Sequence, residues 1–518
     1  MKSPPINKGI LLRGEVEQGW ILCGGFVQHA KLKVDSRRNG VAMRVVFVIP
    51  PFDYGRSVGH VRRGARRGVL PPLGVGFLAA ELRKGGHECR LVDAMARNLD
   101  AAETAEAVAA LSPDVVGMSL ITFVNERESV STCREIRHRL GGDIPIILGG
   151  PHVTLLGDRT LEVFPEADYA VVGEGEYPLR TLLDLLSRGE RPASLPAVSG
   201  RDGSGRICHN PPRVWESNLD VFDPPDRSLY ERDLYRPLPS LNLGRRVTTI
   251  ITARGCPWAR CAFCHQGSGC SVPYRRRSPE HVLEEVERLV RDWGYTSLVF
   301  WDDDFCAMPE WVEAFCSGLI RSSTRVRWSV LARASSVRLD MLRRMAEAGC
   351  YSIQFGYESG VPEILKLIRK GATPDVYRQV TRWARDAGLE IRGSFMLGFP
   401  TETPEMSRQT IELACELNAD YMLFFAYHVL PGTVLEPFAL KRGQRVPDWD
   451  QNIHHPSYVP DTYGSAEELA SMVRYAYRRY YLRPAYLRQL IARTLRRPWL
   501  IGNHALSLGY WLGAALRG

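Results

Sequence analysis

Short β-branched runs alternate with amphipathic helical patterns between residues 43 and 190. Runs of this kind are typical of buried parallel strands, and the helical patterns between them complete βα units. This alternation predicts an α/β domain with a doubly wound parallel sheet, which binds ligands at the carboxyl ends of its strands. The strand candidates are residues 44–50, 88–92, 115–120, 145–149 and 169–172, and the first helix candidate is 73–82.

A second β/α series covers residues 246–435 and predicts a partial (β/α)6 barrel. Residues 191–245 are rich in Pro, Gly, Ser and Asp, which is typical of a linker. Residues 436–518 are expected to be helical, with one or two basic amphipathic helices over 465–495, and residues 1–42 are interpreted as a leader. The six strand candidates of the barrel are 247–252, 297–301, 327–331, 351–355, 390–397 and 421–426.

The composition excludes several classes of protein. The chain has 518 residues, a hydrophobic content of 45% and 12 cysteines, most of them isolated, which favours a soluble multidomain protein in a reducing cytoplasm over a disulfide scaffold. The net charge is +9, but the sequence contains no recognisable nucleic-acid-binding motif, so nucleic acid is not expected as a binding partner. No uninterrupted apolar run reaches about 18 residues, so no transmembrane helix is predicted. The apolar, aromatic tail at 498–516 indicates peripheral membrane contact or packing on the enzyme body.

One cysteine cluster directly follows the first barrel strand. Cys256, Cys261 and Cys264 could each bind one iron of a [4Fe-4S] cubane, which leaves the fourth iron open to a small molecule with an amine and a carboxylate. Structural zinc is the alternative, and it requires a fourth ligand, for which His265 or Cys270 would serve.

This loop resembles that of the radical S-adenosylmethionine (SAM) superfamily, Cys-x3-Cys-x-aromatic-Cys. The first spacer here has four residues, 257–260, rather than three. The resemblance implies a [4Fe-4S] cluster and SAM as cofactors, and an external one-electron reductant of the flavodoxin or ferredoxin type as a partner. Further stretches, Phe-Trp-Asp-Asp-Asp-Phe at 300–305, Gly-Tyr-Glu-Ser-Gly at 356–360 and Ser-Phe-Met-Leu-Gly-Phe-Pro at 394–400, agree with it.

The resemblance also implies the contacts to SAM. Asp303 or Asp304 would meet its amino group, Arg333 its carboxylate and Glu358 its ribose, although Glu358 could instead cap a helix. The complete set of SAM-binding candidates is Phe263, Asp303, Asp304, Arg333, Glu358 and Gly398.

The first domain resembles the cobalamin-binding domain that precedes many radical SAM enzymes. Glycines at its strand ends would let the backbone approach a large ligand. The motif Asp-x-His-x-x-Gly is absent, so His152 is not expected to bind cobalt. The cobalamin-binding candidates are Gly74, Asp93, Ser119, Thr122, Gly149, Gly150, Gly173 and Glu174.

Together these resemblances imply an enzyme with three cofactors: a [4Fe-4S] cluster, SAM and cobalamin. The implied reaction is methylation of an unactivated carbon in a small-molecule or lipid precursor, through a 5′-deoxyadenosyl radical. Cyclisation, rearrangement or oxidation with the same cofactors is the alternative. A basic zinc protein that binds nucleic acid is a remote third hypothesis.

Overall fold

The computed structural model describes residues 41–52, 68–121, 126–209, 215–237, 246–267, 272–446 and 456–496, with a few isolated positions beyond. Nearly all of the predicted leader, Thr122, Cys270 and most of the apolar tail lie outside these residues. Within the described part of the chain, no helix is long and apolar enough to cross a membrane.

The first domain is built on five parallel strands in the order β2-β1-β3-β4-β5. Alternate residues of β1 enter two separate cores, Val46 and Val48 on one face and Val45, Phe47 and Ile49 on the other. Helices therefore cover both faces, which confirms the predicted doubly wound sheet. The strands are Arg44–Ile49 (β1), Glu88–Asp93 (β2), Val115–Ser119 (β3), Ile146–Gly149 (β4) and Tyr169–Val171 (β5). The helices are Leu73–Lys84 (α1), Ala94–Arg97 (α2), Ala101–Ala109 (α3), Glu126–Leu140 (α4), Pro151–Leu156 (α5), Thr160–Val163 (α6) and Glu176–Leu186 (α7).

Residues 194–208 differ from the prediction of a linker over 191–245. They form three short strands, Ser194–Leu195 (β6), Val198–Arg201 (β7) and Ile207–Cys208 (β8), and β7 pairs antiparallel with β5. The polar residues between β7 and β8 form a hairpin turn, in which Asp202 accepts hydrogen bonds from the N–H groups of Ser204 and Arg206. Turns and linkers share this composition, which is why the sequence pattern did not separate them.

A buried ion triad anchors the rest of the linker to the barrel. Arg227 and Arg277 donate to opposite carboxylate oxygens of Glu285 at 3.0 and 2.6 Å. All three side chains are buried. Because loss of one partner would leave an unpaired buried charge, this triad fixes the linker at one place on the barrel.

The second domain has six parallel strands in the order β9-β12-β13-β14-β15-β16, as predicted. The strands are Val247–Ile250 (β9), Ser297–Phe300 (β12), Arg327–Ala332 (β13), Cys350–Glu358 (β14), Glu390–Leu397 (β15) and Tyr421–Ala426 (β16). The short strands Ala253–Arg254 (β10) and Arg275–Arg276 (β11) pair outside this sheet. The helices that connect the six barrel strands are Pro279–Arg291 (α8), Pro309–Arg321 (α9), Leu339–Glu347 (α10), Pro362–Leu367 (α11), Pro374–Asp386 (α12) and Pro404–Leu417 (α13).

Ser-Pro and Thr-Pro pairs begin three of these helices. Ser278, Thr373 and Thr403 each accept the backbone N–H of the residue three positions later, and proline follows each of them. Proline at the first helical position has no N–H that would need a partner, so these pairs are strong helix starts.

The C-terminal region is mainly helical, as predicted, and it also contains an antiparallel strand pair. Its elements are Glu436–Lys441 (α14), Gly443–Arg445 (β17), Tyr458–Pro460 (β18), Ala466–Tyr481 (α15) and Pro484–Arg496 (α16). α15 buries Tyr477, Tyr480 and Tyr481 against the barrel. For this helix the structure shows packing on the enzyme body. Peripheral membrane contact by the tail stays a prediction.

Candidate active site

The loop from Gly255 to Gly267 folds tightly on itself just beyond β9. The backbone N–H of Cys264 donates to the carbonyl of Cys261 at 3.1 Å, and that of Gly267 donates to Cys264 at 3.0 Å. An added Cβ on Gly267 would lie 2.0 Å from the Cys261 carbonyl oxygen, so a side chain is excluded there. The turn keeps the second and third predicted cluster cysteines together.

The three predicted cluster thiols interact electrostatically. Burial raises the pKa of Cys264 to about 11, and Cys261 and Cys256 add to the rise. Burial also raises the pKa of Cys256, while the backbone N–H groups of Ala259 and Trp258 act to lower it. Amide groups directed at sulfur are one means by which a protein tunes a bound iron–sulfur cluster.

The described residues around this loop form no site for a single metal ion. Among the residues that the structure describes, no three His, Cys, Asp or Glu side chains converge as a single metal ion requires. A cubane places each thiolate on a different iron, so it requires no such convergence. Cys270, the alternative zinc ligand, lies outside the described residues.

The three aspartates after β12 have different surroundings. Asp302 is buried and accepts the N–H groups of Thr252 and Ala253 at 2.7 and 2.8 Å, so it fixes the start of the cluster loop. Asp304 is also buried, and it accepts from Ser336 and from the N–H of Arg333. Asp303 alone faces the large cavity described below, where it accepts from Gln266 at 3.0 Å. Of the two predicted contacts to the SAM amino group, the geometry therefore favours Asp303.

Arg333 lies against the cluster loop rather than at that cavity. Its Nη1 is 3.6 Å from Cys261 Sγ, its Nη2 donates to the Lys370 carbonyl at 2.6 Å, and its guanidinium is 4.7 Å from the centre of the Trp258 ring. The sequence analysis assigned it to the SAM carboxylate. The structure places it beside Cys261, one of the three predicted cluster ligands, and its contact with SAM stays a prediction.

Glu358 is the last residue of β14 and has a φ of 68°. Its carboxylate accepts from Lys370 Nζ at 2.8 Å. The alternative interpretation of Glu358 as a helix cap is wrong, since Val361 occupies the N-cap of α11. A glutamate in left-handed backbone is strained, which is a common feature of functional sites.

The predicted SAM residue Gly398 lies next to a buried carboxylate that the sequence analysis missed, and Phe263 contacts the neighbouring Phe399. Glu402 accepts the N–H groups of Gly398 and Phe399 at 3.0 and 2.9 Å, and the Phe263 and Phe399 rings lie 5.9 Å apart. Burial raises the pKa of Glu402 to about 7. Gly398 has a φ of 85°, and an added Cβ would lie 2.5 Å from Leu469 of α15. The signal in the sequence was a lone acidic residue between two threonines that precede a helix, which is usually a solvated position.

One cavity of about 380 Å³, here called the interdomain cavity, lies between the strand ends of the first domain and the cluster loop. Apolar side chains such as Phe47, Phe77 and Met118 form much of its wall. Six predicted cobalamin residues line it: Gly74, Ser119, Gly149, Gly150, Gly173 and Glu174. From the barrel side it is lined by Arg254, Gly255, His265, Gln266, Trp301 and Asp303.

Two glycines show why the first domain's wall of the cavity lacks side chains at these positions. Gly150 has a φ of 104°, and an added Cβ would lie 2.6 Å from the Leu120 carbonyl oxygen. An added Cβ on Gly74 would meet no atom of the described residues within 4 Å, which leaves room for a ligand at this wall. Exposed backbone at the carboxyl ends of parallel strands is what a large planar ligand requires.

Two other cobalamin candidates lie elsewhere or outside the described chain. The sequence analysis assigned Asp93 to cobalamin, but this residue is not among those that line the cavity. Its side chain caps α2 by accepting the N–H of Ala96 at 2.8 Å, and it also accepts from Tyr235 at 3.1 Å. Thr122 lies outside the described residues. His152, which was not expected to bind cobalt, is buried beside Glu126 at 2.7 Å and does not line the cavity.

An ion-pair network at the same cavity joins the two domains. Glu174 pairs with Arg275 at 2.7 Å and Arg254 at 2.9 Å, and Glu176 pairs with Arg254 at 2.6 Å. Burial alone would raise the pKa of Glu174, but the two guanidinium groups bring it below its ordinary value. Glu174, a predicted cobalamin residue, therefore holds the domains together, and the sequence analysis missed both arginines.

Known protein families match the two domains of this chain separately. Residues 250–414 match the Radical SAM superfamily, and residues 59–183 match the B12 binding domain. The chain belongs to the radical SAM enzymes that carry a B12-binding domain.

Several curated members of this family are similar over most of their length. An uncharacterized methyltransferase of Pyrococcus horikoshii is 29% identical over 86% of this chain and 94% of its own. The anaerobic magnesium-protoporphyrin IX monomethyl ester cyclase of Rubrivivax gelatinosus is 28% identical over 89% of this chain and 81% of its own.

Solved structures share the fold. The radical SAM methyltransferase TsrM of Kitasatospora setae, with tryptophan and a SAM analogue bound, superposes with a TM-score of 0.62 at 21% identity, over 77% of this chain and 76% of its own. The radical SAM enzyme OxsB, with aqua-cobalamin and SAM bound, gives a TM-score of 0.59 at 22% identity, over 73% of this chain and 52% of its own.

The cofactors of this radical SAM enzyme are a [4Fe-4S] cluster, SAM and cobalamin. The residues present fit them, since the loop from Gly255 to Gly267 supplies three free cysteines, the ligand type that an iron–sulfur cluster requires. The bare glycine edge and apolar wall of the interdomain cavity fit a corrinoid. Members of this family require an external reductant and a small-molecule substrate.

Proposed function

We propose that this radical SAM enzyme is a cobalamin-dependent methyltransferase that acts on an unactivated carbon of a small-molecule or lipid precursor. The observation that carries the proposal is the interdomain cavity. It is lined both by the glycines at the first domain's strand ends and by Gly255 and His265, which neighbour cluster cysteines in the sequence. A methyl donor and a radical source bound to the two walls would face one shared space.

When bound, the cluster and SAM supply a 5′-deoxyadenosyl radical, and methylcobalamin supplies the methyl group. The chain's own part is to hold and enclose these groups. Cys256, Cys261 and Cys264 would hold the cluster. Asp303 would accept hydrogen bonds from the SAM amino group, and Glu358 from its ribose. The apolar wall around Phe47 and Phe77 would exclude water from the space that the bound groups share.

Similarity supports two reaction outcomes. The methyltransferase of P. horikoshii supports methylation, whereas the cyclase of R. gelatinosus supports ring formation with the same architecture. We favour methylation because methyltransferases occur among both the sequence relatives and the matching structures. The substrate could also be membrane-associated, as the apolar tail indicates.

The two outcomes differ in how they use SAM. A methyltransferase consumes a second SAM to restore the methyl group on cobalamin, so it releases S-adenosylhomocysteine as well as 5′-deoxyadenosine. A cyclase releases 5′-deoxyadenosine alone. The test is to purify the protein anaerobically with hydroxocobalamin, add SAM and titanium(III) citrate, and quantify both nucleosides by mass spectrometry.

We expect both nucleosides from the wild-type protein. The variants Cys256→Ala, Cys261→Ala and Cys264→Ala should lose 5′-deoxyadenosine formation, while Cys415→Ala, which removes a partly buried cysteine on α13, should keep it. Formation of 5′-deoxyadenosine without any S-adenosylhomocysteine would contradict methylation and favour the cyclase alternative.

A further inference from the structure

A second cavity lies on the other side of the cluster loop. This outer cavity, of about 680 Å³, is lined by Trp258 and Arg260 of the four-residue spacer, and by Lys366, Arg369 and Gly371 at and after α11. It shares no lining residue with the interdomain cavity. The cluster loop therefore has one face toward the cofactor domain and another toward the surface of the barrel.

The outer cavity is positively charged. Arg260, Lys366 and Arg369 are exposed at its rim, and the described residues that line it include no Asp or Glu. Within the part of the chain that the structure describes, none of these three cations forms an ion pair with a carboxylate. Three neighbouring cations without anionic partners attract an acidic surface over about a Debye length, roughly 8 Å at physiological ionic strength.

The outer cavity is only two side chains away from a cluster ligand. Trp258 donates its Nε1 hydrogen to the Arg369 carbonyl at 3.0 Å, and its ring lies so close to Gly371 that an added Cβ there would be 2.2 Å from the ring. Arg333 lies under the same ring at 4.7 Å, and its Nη1 is 3.6 Å from Cys261 Sγ. The rate of electron transfer falls steeply with distance. A donor protein bound at the outer cavity would be separated from the cluster by only these two side chains, which favours fast transfer.

We propose that the outer cavity is the docking surface for a small acidic electron-transfer protein. This inference rests on the proposed function, since that function requires a cluster that is reduced by one electron in each turnover. The reduced carrier gives up one electron, and the cluster gains that electron, with no bond formed and no proton moved. Redox partners form small, transient interfaces in which charge provides speed rather than strong affinity, which suits a rim of three cations.

The test compares two reductants on the anaerobically purified, cluster-loaded protein. One is a reduced bacterial flavodoxin, an acidic protein, and the other is photoreduced 5-deazaflavin, a small uncharged donor. The variant is Lys366→Glu with Arg369→Glu. The matched control is Arg321→Glu with Arg343→Glu, which reverses two exposed arginines on α9 and α10, elsewhere on the barrel. Stopped-flow absorbance follows the loss of cluster colour.

We expect the docking variant to slow reduction by flavodoxin at least tenfold at low salt, with a smaller effect at high salt. Reduction by deazaflavin should be unchanged, and the control pair should leave both rates within about twofold of wild type. Three results would overturn the proposal: an unchanged flavodoxin rate, an equal slowing by both reductants, or an equal effect of the control pair. Because cluster reduction is measured directly, a failure of the methyl-transfer proposal would appear separately, in the nucleoside products.

Discussion

Glu402 shows how strongly the fold controls a single carboxylate. It is fully buried, and its oxygens accept from two backbone N–H groups and from the Ser407 hydroxyl at 2.7 Å. Those contacts hold the turn at Gly398 against α15. Burial nevertheless dominates, so the pKa rises from 4.5 to about 7. A buried acid near neutrality makes the stability of this turn depend on pH.

Replacing Glu402 should therefore change how stability responds to pH. Between pH 4.5 and about 7 the folded protein keeps a proton that the unfolded chain has released. The resulting contribution, on the order of 3 kcal/mol, is present below pH 4.5 and is lost as the pH rises through 7. Between pH 5 and 8, the urea midpoint of the wild type should fall further than that of Glu402→Gln. Glu405→Gln, at an exposed position of α13, is the control, and parallel curves for Glu402→Gln and wild type would contradict the prediction.

A substitution at Glu358 tests the proposed contact to the SAM ribose separately from the other proposed cofactor contacts. Its strained backbone and its ion pair with Lys370 hold the carboxylate at the end of β14. Glu358→Gln should weaken SAM binding at least about tenfold, because a charged hydrogen bond to a ribose hydroxyl is worth about 1.5–3 kcal/mol. Equilibrium dialysis with labelled SAM measures this affinity. The control is Glu363→Gln on α11, and an affinity equal to that of the control would place the ribose elsewhere.

The sequence predicted the positions of site residues better where the backbone places them than where side-chain contacts place them. Glycines at strand ends reached the cavity as expected, because strand ends and sheet topology place them there. Asp93 did not, because its partner, Tyr235, is distant in the sequence. A local motif indicates that a charged side chain is near a site, but not which neighbour it contacts.

At the scale of elements, α15 closes the open edge of the barrel. Among the strands that the structure describes, β16 has no neighbour on its outer side within the sheet. The N–H groups of Phe424 and Met422 donate to the hydroxyls of Tyr477 and Tyr481 at 3.1 and 2.9 Å, and the Tyr481 hydroxyl donates back to the Met422 carbonyl. An edge strand without partners is a liability, and the tyrosines satisfy this one.

Removing these hydroxyls should destabilise the protein. In Tyr477→Phe and in Tyr481→Phe a buried N–H group loses its partner, which costs about 1–3 kcal/mol in each variant. Tyr475→Phe, on the exposed side of the same helix, should be close to neutral. The free energy of unfolding in urea measures all three, and losses no larger than that of Tyr475→Phe would show that α15 does not protect the edge.

Element positions followed closely from the hydrophobic pattern. The strands at 390–397 and 421–426 have the bounds that the pattern predicts. The pattern failed at 194–208, where Gly, Ser and Asp form a hairpin turn instead of a linker. It also gave no sign that α15 would supply hydroxyls to a strand edge, because amphipathicity indicates a buried face but not what that face covers.

At the scale of the whole molecule, the two domains are held together by charge. Glu174 on the first domain pairs with Arg254 and Arg275 on the second. These partners are far apart in the sequence, so the domain arrangement could not be predicted from local patterns. The same network borders the interdomain cavity, and a change in it should therefore affect the bound corrinoid.

Glu174→Gln should loosen the corrinoid while the cluster stays in place. Breaking a buried ion pair costs about 3–5 kcal/mol, because Arg275 is left without a carboxylate, while Arg254 keeps only Glu176. After anaerobic gel filtration we expect the variant to retain at least fivefold less corrinoid than wild type, with unchanged iron content. Glu106→Gln, on the exposed face of α3, should retain both. Full corrinoid retention by Glu174→Gln would contradict this role.

The most direct test of the account is the magnetic interaction between its two metal centres. Both the cob(II)alamin and the reduced cluster are paramagnetic, and the account places them at opposite walls of one cavity. We predict that reducing the cluster in the cobalamin-loaded protein broadens and splits the cob(II)alamin signal in electron paramagnetic resonance spectra. A spectrum equal to the sum of two independent signals would contradict the shared cavity.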